Sequence, residues 1–321
     1  MAARRQWRKV DGVLLLNKPH GFTSNDALQV VRRAYSGKKA GHGGTLDPLA
    51  TGLLPVAFGA ATRFLHDLVE AEKVYTATVR LGWRSSTGDG EGELTAEPSY
   101  AGGLPDQEKI DHVIKAFTGP ISQRPPMYSA LKFQGRPLYE YARAGIHIDR
   151  PAREVTVHEL TIESASPEVL VLRVRCSKGT YIRVLAEDIG DALGTGAYLS
   201  DLRRDAVGRF DLTQAIDLAR IQAAAPADRQ AELDELPPLL PVDAMVRELP
   251  EVALDERCAQ RFTNGQGIDL TAVSSMSARM AAASDTEQRW RVYGEGRFLG
   301  LARQQEHMLN PLRVLPVTHE S

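Results

Sequence analysis

The sequence predicts an α+β protein: a mixed α/β domain over about residues 10–245, followed by a small β-rich domain over about 250–318. Three observations predict it. Residues 74–81 and 170–176 alternate apolar and polar side chains with the period of a half-buried strand. Ile110, Val113, Ile114 and Phe117 recur at helical spacing after Asp106, and Val184, Leu185, Ile189 and Leu193 do so after Thr180. The run Leu236-Pro237-Pro238-Leu239-Leu240-Pro241 then breaks the pattern, and only short strand-like stretches follow it.

The elements follow in order. Residues 1–9 are basic and polar and read as a loose arm. Val13-Leu14-Leu15-Leu16 is a buried strand, and Lys18-Pro19-His20-Gly21 turns the chain. Ser24 is expected to cap a helix running to about Arg33, with Asp26 in its first turn. The loop Gly41-His42-Gly43-Gly44-Thr45-Leu46-Asp47-Pro48-Leu49-Ala50-Thr51-Gly52 precedes a buried strand with Pro55 near its start. In the strand over 74–81, Tyr75, Ala77, Val79 and Leu81 share the inward face, and a polar loop over 84–92 follows. The helix from Asp106 stops at Gly119-Pro120. Residues 123–132 form an ordered loop of aromatic and basic residues, and a short helix from Pro137 to Arg143 ends at Gly145. Two strands come next, one with Val155, Val157, Leu160 and Ile162, the other with Leu170, Leu172, Val174 and Cys176 opposite Arg173 and Arg175. Thr180 caps the next helix and Gly194 closes it. The Ala, Gln, Asp and Leu content of 212–235 reads as helical. In the tail, a helix runs from Asp255 to Phe262, and strands cover Trp290–Tyr293 and Phe298–Ala302.

Hydrophobic content of 43% and charged content of 25% are those of an ordinary globular protein with a sizeable core. The net charge of -2 hides an asymmetry. Residues 1–39 hold nine basic side chains against two acids, whereas 211–256 hold eleven acids against three basic ones. Such an imbalance fits a polyanionic partner at one end of the molecule. Cys176 and Cys258 stand far apart, outside any CxxC or Cys/His array, which argues against structural zinc and for reduced thiols. No apolar run approaches the ~20 residues of a membrane helix, and no signal-peptide pattern is present. A cytoplasmic location is therefore expected.

Asp47 carries most of the chemistry. Pro48 pushes it into an extended conformation, and the neighbouring glycines leave room for the backbone of a bulky partner. A nucleophile or general base suits this setting; an ordinary Asp-Pro turn is the rival reading. The loop lacks the lysine and glycine spacing of a nucleotide-phosphate loop. Arg183 lies in the first turn of a helix, where the helix dipole disfavours a cation. It pairs either with Glu187 one turn on or with an anion brought from elsewhere. Tyr75 on an inward strand face reads as core unless a substrate lies beside it. His42 in a glycine-rich loop is expected to be exposed. Leu202-Arg203-Arg204, Arg173, Arg175 and the aromatic-basic stretch 124–143 favour a nucleic acid with unstacked bases.

Together these motifs resemble the TruB-type tRNA pseudouridine synthases. The resemblance covers residues 10–210 strongly: Gly12–Pro19, His42–Gly52, Lys73-Val74-Tyr75, Pro126–Lys132, Leu138–Arg143, Cys176–Arg183 and Leu202-Arg203-Arg204 match in order. It implies a largely antiparallel mixed sheet flanked by helices, with an RNA-gripping insertion at about 120–150. The implied reaction is isomerisation of uridine to pseudouridine at position 55 in the T-arm loop of tRNA, by base flipping, with no metal or organic cofactor. Asp47 becomes the nucleophile, Arg183 its partner, and Tyr75 a stacking residue that assists proton removal. His42 fills the space of the flipped base, Tyr181 and Leu202 line the uracil pocket, and Lys18 supports the site. The tail resembles the family's PUA-like module more loosely, through Arg261–Gly265, and would meet the acceptor end of the tRNA. A monomer is expected.

Two departures stand out. Gly43 replaces a common serine or threonine, and Asp205 replaces an apolar residue or threonine, placing a carboxylate where it would weaken phosphate contacts. Two other functions compete. One is a non-catalytic tRNA-folding chaperone on the same scaffold. The other is a carboxylate-nucleophile hydrolase, which lacks a visible second carboxylate near Asp47.

Overall fold

The computed structural model describes residues 7–224, 235–270 and 288–316. The larger part begins with strands β1 (Gly12–Lys18), β2 (Ala40–His42), β3 (Thr51–Phe58) and β4 (Lys73–Leu81). A hairpin of β5 (Trp83–Ser85) and β6 (Leu94–Ala96) follows, then β7 (Gly119–Gln123) and a second hairpin of β8 (Lys132–Phe133) and β9 (Arg136–Pro137). The last strands here are β10 (Arg153–Ala165), β11 (Val169–Cys176), β12 (Ala197–Val207), β13 (Phe210–Asp211) and β14 (Ile216–Asp217). The helices are α1 (Ser24–Ala34), α2 (Leu65–Glu70), α3 (Gln107–Ala116), α4 (Leu138–Arg143), α5 (Ile182–Leu193) and α6 (Leu218–Ala224).

Among the described residues, one ten-stranded sheet runs β14–β1–β3–β12–β4–β11–β10–β7, with β2 beside β3 and β13 beside β12. The β1–β14 and β3–β12 pairs are parallel and the other pairs antiparallel. This is the mixed, largely antiparallel sheet that the resemblance implies. Both faces of β1 are buried, as its unbroken apolar run demands. Leu14 and Leu16 belong to the core that also takes residues from α1, α3, α5 and α6, while Val13 and Leu15 belong to a second core with Phe64, Leu68, Met245 and Leu301.

The C-terminal part comprises β15 (Glu251–Leu254), α7 (Glu256–Thr263), β16 (Ile268–Asp269), β17 (Arg289–Gly294), β18 (Arg297–Gln305) and β19 (Met308–Val314). Its sheet runs β15–β17–β18–β19–β16 around a core of Val252, Phe262, Trp290, Val292 and Leu309. Asp255 caps α7 by accepting from the Cys258 amide. Leu301 and Phe298 reach across into the core beneath the large sheet.

Several local expectations need correction. Thr23, not Ser24, caps α1, and the Ser24 side chain points back at the loop before β3. Tyr181, not Thr180, is the cap position of α5 and makes no side-chain cap bond, and the Thr180 hydroxyl donates to the Ser177 carbonyl. Pro55 falls inside β3 rather than near its start. It sits between the β12 partners of residues 51–52 and the β2 partners of residues 56–58, so its missing N–H costs no ladder bond. The stretch 212–217 is not α-helical: Asp211 and Gln214 form a capping box around one 3-10 turn, and Ile216–Asp217 pairs with β1. Of the expected arm, Trp7 stacks under the Arg32 guanidinium and Arg8 hydrogen-bonds the turn after α1. Residues 1–6, 225–234 and 317–318 lie outside the described residues.

Candidate active site

The loop between β2 and β3 is tied down on every side of Asp47. The Ser24 hydroxyl accepts from the Leu46 amide at 2.7 Å and donates to the Leu46 carbonyl at 3.0 Å. The Gly21 amide donates to the Pro48 carbonyl at 2.9 Å, and the Gly43 amide to the Pro55 carbonyl at 2.9 Å. From below, the Arg204 guanidinium donates to the carbonyls of Leu53 (2.8 Å), Gly44 (3.2 Å) and Thr45 (3.5 Å). Gly52 makes this approach possible: its φ is +99°, and a Cβ there would lie 2.4 Å from the Arg204 carbonyl oxygen.

Arg183 is the electrostatic centre. It is 6% exposed. One guanidinium nitrogen meets the Asp47 carboxylate at 3.0 Å, and the other meets Asp89 at 3.1 Å. The same nitrogens donate to the Tyr128 carbonyl at 2.6 Å and the Thr87 carbonyl at 3.1 Å. Arg183 therefore takes partners from three other segments rather than Glu187 on its own helix. The charges of Asp47 and Asp89 answer the unfavourable helix-terminus position. Asp89 is buried and itself accepts from the Thr87 hydroxyl and the Glu91 amide. The protein packed around Asp47 pushes its pKa above the ordinary carboxylate value, with Arg183 pulling the other way and Asp89 adding to the rise.

Asp47, Tyr75, Tyr181, Arg183 and Leu202 line one cavity of about 510 Å³, together with Ser129, Arg153 and Lys178. Strand register explains the grouping: Tyr75 lies directly across from Arg204 on the neighbouring strand, and Ala77 across from Leu202. Burial raises the Tyr75 pKa while the neighbouring Arg204 cation counteracts it. Tyr181 is held by its backbone, its amide donating to the Gln123 side chain at 3.0 Å and its carbonyl accepting back at 3.3 Å. Two expected site residues do not line the cavity. Lys18 is fully buried, donates to the Pro19 and Phe22 carbonyls, and has its pKa lowered to about 8 by burial. His42 is half-buried rather than exposed, with its Nδ1 buried and lacking a hydrogen-bond partner; desolvation lowers its pKa.

Asp89, and the buried place of Arg204 beneath the loop, were not foreseen from the sequence. Asp89 sits between two glycines in a polar loop, where nothing in the pattern announces burial. Arg204 had a signal: it lies two residues from Leu202, on the inward face of β12, while Arg203 points outward. The two arginines therefore have opposite fates. Arg203 pairs with Asp205 at 2.6 Å, and Asp205 also accepts from Thr76, so the departure at 205 is absorbed locally. Arg175 is likewise matched by Glu72 and Glu159. Gly43 also has a local reason, since a Cβ there would lie 2.9 Å from Leu68 Cδ1. Beyond the cavity, Arg136 stacks on Tyr141, Arg143 on Tyr139, and Phe133 is 40% exposed, giving a cationic and aromatic surface on the 119–150 excursion.

The described residues contain no group of three or more His, Cys, Asp or Glu side chains placed to hold a metal ion, and no helix long and apolar enough to cross a membrane. Family models match in three consecutive blocks: the N-terminal domain of the TruB family pseudouridylate synthases over 32–182, the C-terminal domain of tRNA pseudouridylate synthase B over 183–247, and the C-terminal segment of pseudouridine synthase II TruB over 250–315. A tRNA pseudouridine synthase B from Burkholderia mallei is 49% identical over 311 residues, covering 96% of this chain and 98% of that one. The chain belongs to the TruB family of pseudouridylate synthases. It is a pseudouridine synthase, an isomerase. A tRNA pseudouridine synthase B from Cupriavidus metallidurans is also 49% identical, over 313 residues, with 96% of the synthase and 95% of that relative covered. The fold matches a chain of an H/ACA RNP bound to a substrate RNA containing 2'-deoxyuridine, with a TM-score of 0.71 at 24% identity, over 95% of the synthase and 85% of that chain.

Proposed function

We propose that the synthase isomerises uridine to pseudouridine at position 55 in the T-arm loop of tRNA, with Asp47 as the nucleophile. The observation that carries this reading is the Asp47–Arg183 pair at 3.0 Å, facing a cavity walled by Tyr75, Tyr181 and Leu202. The relatives' names supply the tRNA. The position in the T-arm loop comes from the family resemblance.

The reaction breaks the C1′–N1 bond of the nucleoside, forms a C1′–C5 bond, and moves a proton from C5 to N1. Atoms and electrons balance without a cofactor. A base inside a folded RNA loop must first leave its stack, at a cost of a few kcal/mol. In this reading the flipped uracil enters the cavity, stacks on Tyr75 and packs against Leu202 and Tyr181. Asp47 attacks from the loop, and Arg183 keeps it ionised and aimed. Tyr75, beside the Arg204 cation, assists removal of the C5 proton. His42 occupies the space the base has left, and Lys18 braces the Lys18–Phe22 turn behind the loop. The cationic and aromatic surface of the 119–150 excursion grips the RNA. The C-terminal part meets the acceptor end. A cytoplasmic monomer completes the reading.

Tritium release from a T-arm stem-loop carrying C5-tritiated uridine tests it. Release at the expected position supports the assignment. Tight binding without release supports the tRNA-folding chaperone instead.

A further inference from the structure

The reaction assigned above uses residues of the larger part alone, yet α2 links that site to the C-terminal sheet. We propose that Asp67 is a positioning residue through which the C-terminal part holds the catalytic loop in its reactive geometry. The proposal rests on the reading of Asp47 as the reactive group.

Alpha helix α2 has six residues and no side-chain cap at its N-terminus. So short a helix does not hold itself together in isolation, and its placement comes from what it packs against. One side belongs to the C-terminal part. The Asp67 side chain is 10% exposed, pairs with Arg289 of β17, and has Arg313 of β19 at 3.8 Å. Arg313 also donates to the Arg63 carbonyl, and Arg63 donates to the Val314 carbonyl at 3.2 Å. The Phe64 and Phe298 rings pack at 5.4 Å between centroids.

The other side belongs to the catalytic loop. Leu65 and Leu68 fill the space over two of its glycines: a Cβ on Gly41 would lie 2.8 Å from Leu65 Cδ1, and one on Gly43 2.9 Å from Leu68 Cδ1. At the far end, Val69 lines the cavity, and the Lys73 ammonium donates to the Val69 and Ala71 carbonyls at 2.6 Å each. Lys73 opens β4 two residues before Tyr75. The helix thus touches the loop that bears Asp47 and the strand that bears Tyr75, while its nearly buried carboxylate, Asp67, is tethered to arginines of the other sheet. Asp67 is the enclosed partner of this pair and Arg289 the half-open one, so losing the arginine leaves a nearly buried carboxylate unpaired, which is costly. Reacting groups tolerate little displacement: about 1 Å costs on the order of a hundredfold in rate.

The test uses the full-length protein and a C5-tritiated T-arm stem-loop, comparing Arg289→Met, Arg289→Lys and Asp67→Asn. The single-turnover rate is expected to fall about tenfold in Arg289→Met and Asp67→Asn. Stem-loop affinity is expected to stay within about twofold, and Arg289→Lys, which keeps the charge, to recover most of the rate. Because the Arg289 side chain is 37% exposed, its variants report even where Asp67→Asn fails to fold. An unchanged rate in Arg289→Met, a loss of affinity equal to the loss of rate, or no recovery in Arg289→Lys overturns the proposal. Absence of tritium release by the unmodified protein would instead overturn the functional reading beneath it.

Discussion

Replacing Arg183 with lysine separates charge from geometry. Lysine keeps a positive charge but loses the planar fork that spans two carboxylates. In the structure that fork reaches Asp47 at 3.0 Å and Asp89 at 3.1 Å, and also serves the Tyr128 and Thr87 carbonyls. An ammonium has three donors at one point, and so cannot reproduce four contacts that come from both ends of a guanidinium. At least one charged contact is lost, worth about 1.5–3 kcal/mol. If Asp47 is the partner released, the barrier rises by that amount, which is about ten- to a hundredfold in rate. If Asp89 is released, a buried carboxylate goes unpaired and the loss falls mainly on stability. Single-turnover tritium release, measured beside urea unfolding, distinguishes the two. The expected outcome is a slower chemical step with tRNA affinity within about threefold, since Arg183 is buried beneath the cavity. An Arg183→Lys variant with unchanged rate and stability would refute the reasoning. One that loses affinity without slowing the step would make Arg183 a phosphate contact.

Further outcomes follow from the same geometry. Burial raises the Asp47 pKa and Asp89 adds to the rise, so the rate is expected to fall on acidification at a pH above the ordinary carboxylate range. Asp89→Asn removes the repelling charge and should move that acid limb to lower pH in a single-turnover pH profile. Gly43→Ser forces Leu68 aside and is expected to cost about 1–3 kcal/mol by urea unfolding. Arg204→Lys leaves loop carbonyls unsatisfied beneath Asp47; a loss of about 2–4 kcal/mol, with a slower chemical step, is expected by unfolding and single-turnover assays.

The sequence made the frame of this molecule legible where periodicity was strong. The alternation through Tyr75, Ala77, Val79 and Leu81, and through Leu170, Leu172, Val174 and Cys176, appears as two adjacent antiparallel strands with those residues facing the core or the cavity. Local chemistry also served well in the tail, where Asp255 caps the expected helix. It failed where a side chain had a distant partner. Ser24 looks like a cap and instead bonds Leu46, and the composition of 212–217 suggests helix where β1 offers an edge for Ile216–Asp217. At the site, the motifs named Asp47 and Arg183, but only the fold shows that Asp89 shares the guanidinium. The second carboxylate missing from the sequence reading was therefore present, in a loop whose burial no local pattern encodes. Leu202-Arg203-Arg204 reads as a cationic pair for a nucleic acid because two adjacent arginines look alike in sequence, while a strand sends them to opposite faces.

The central claim is that the Asp47 carboxylate performs the chemistry. Asp47→Asn keeps the size of the side chain and removes the charge that Arg183 holds. Tritium release by this variant, from a C5-tritiated T-arm stem-loop at saturating enzyme, is the most direct measurement. Release at background is expected, with stem-loop binding within about threefold of the unmodified protein. Release at the unmodified rate would contradict it.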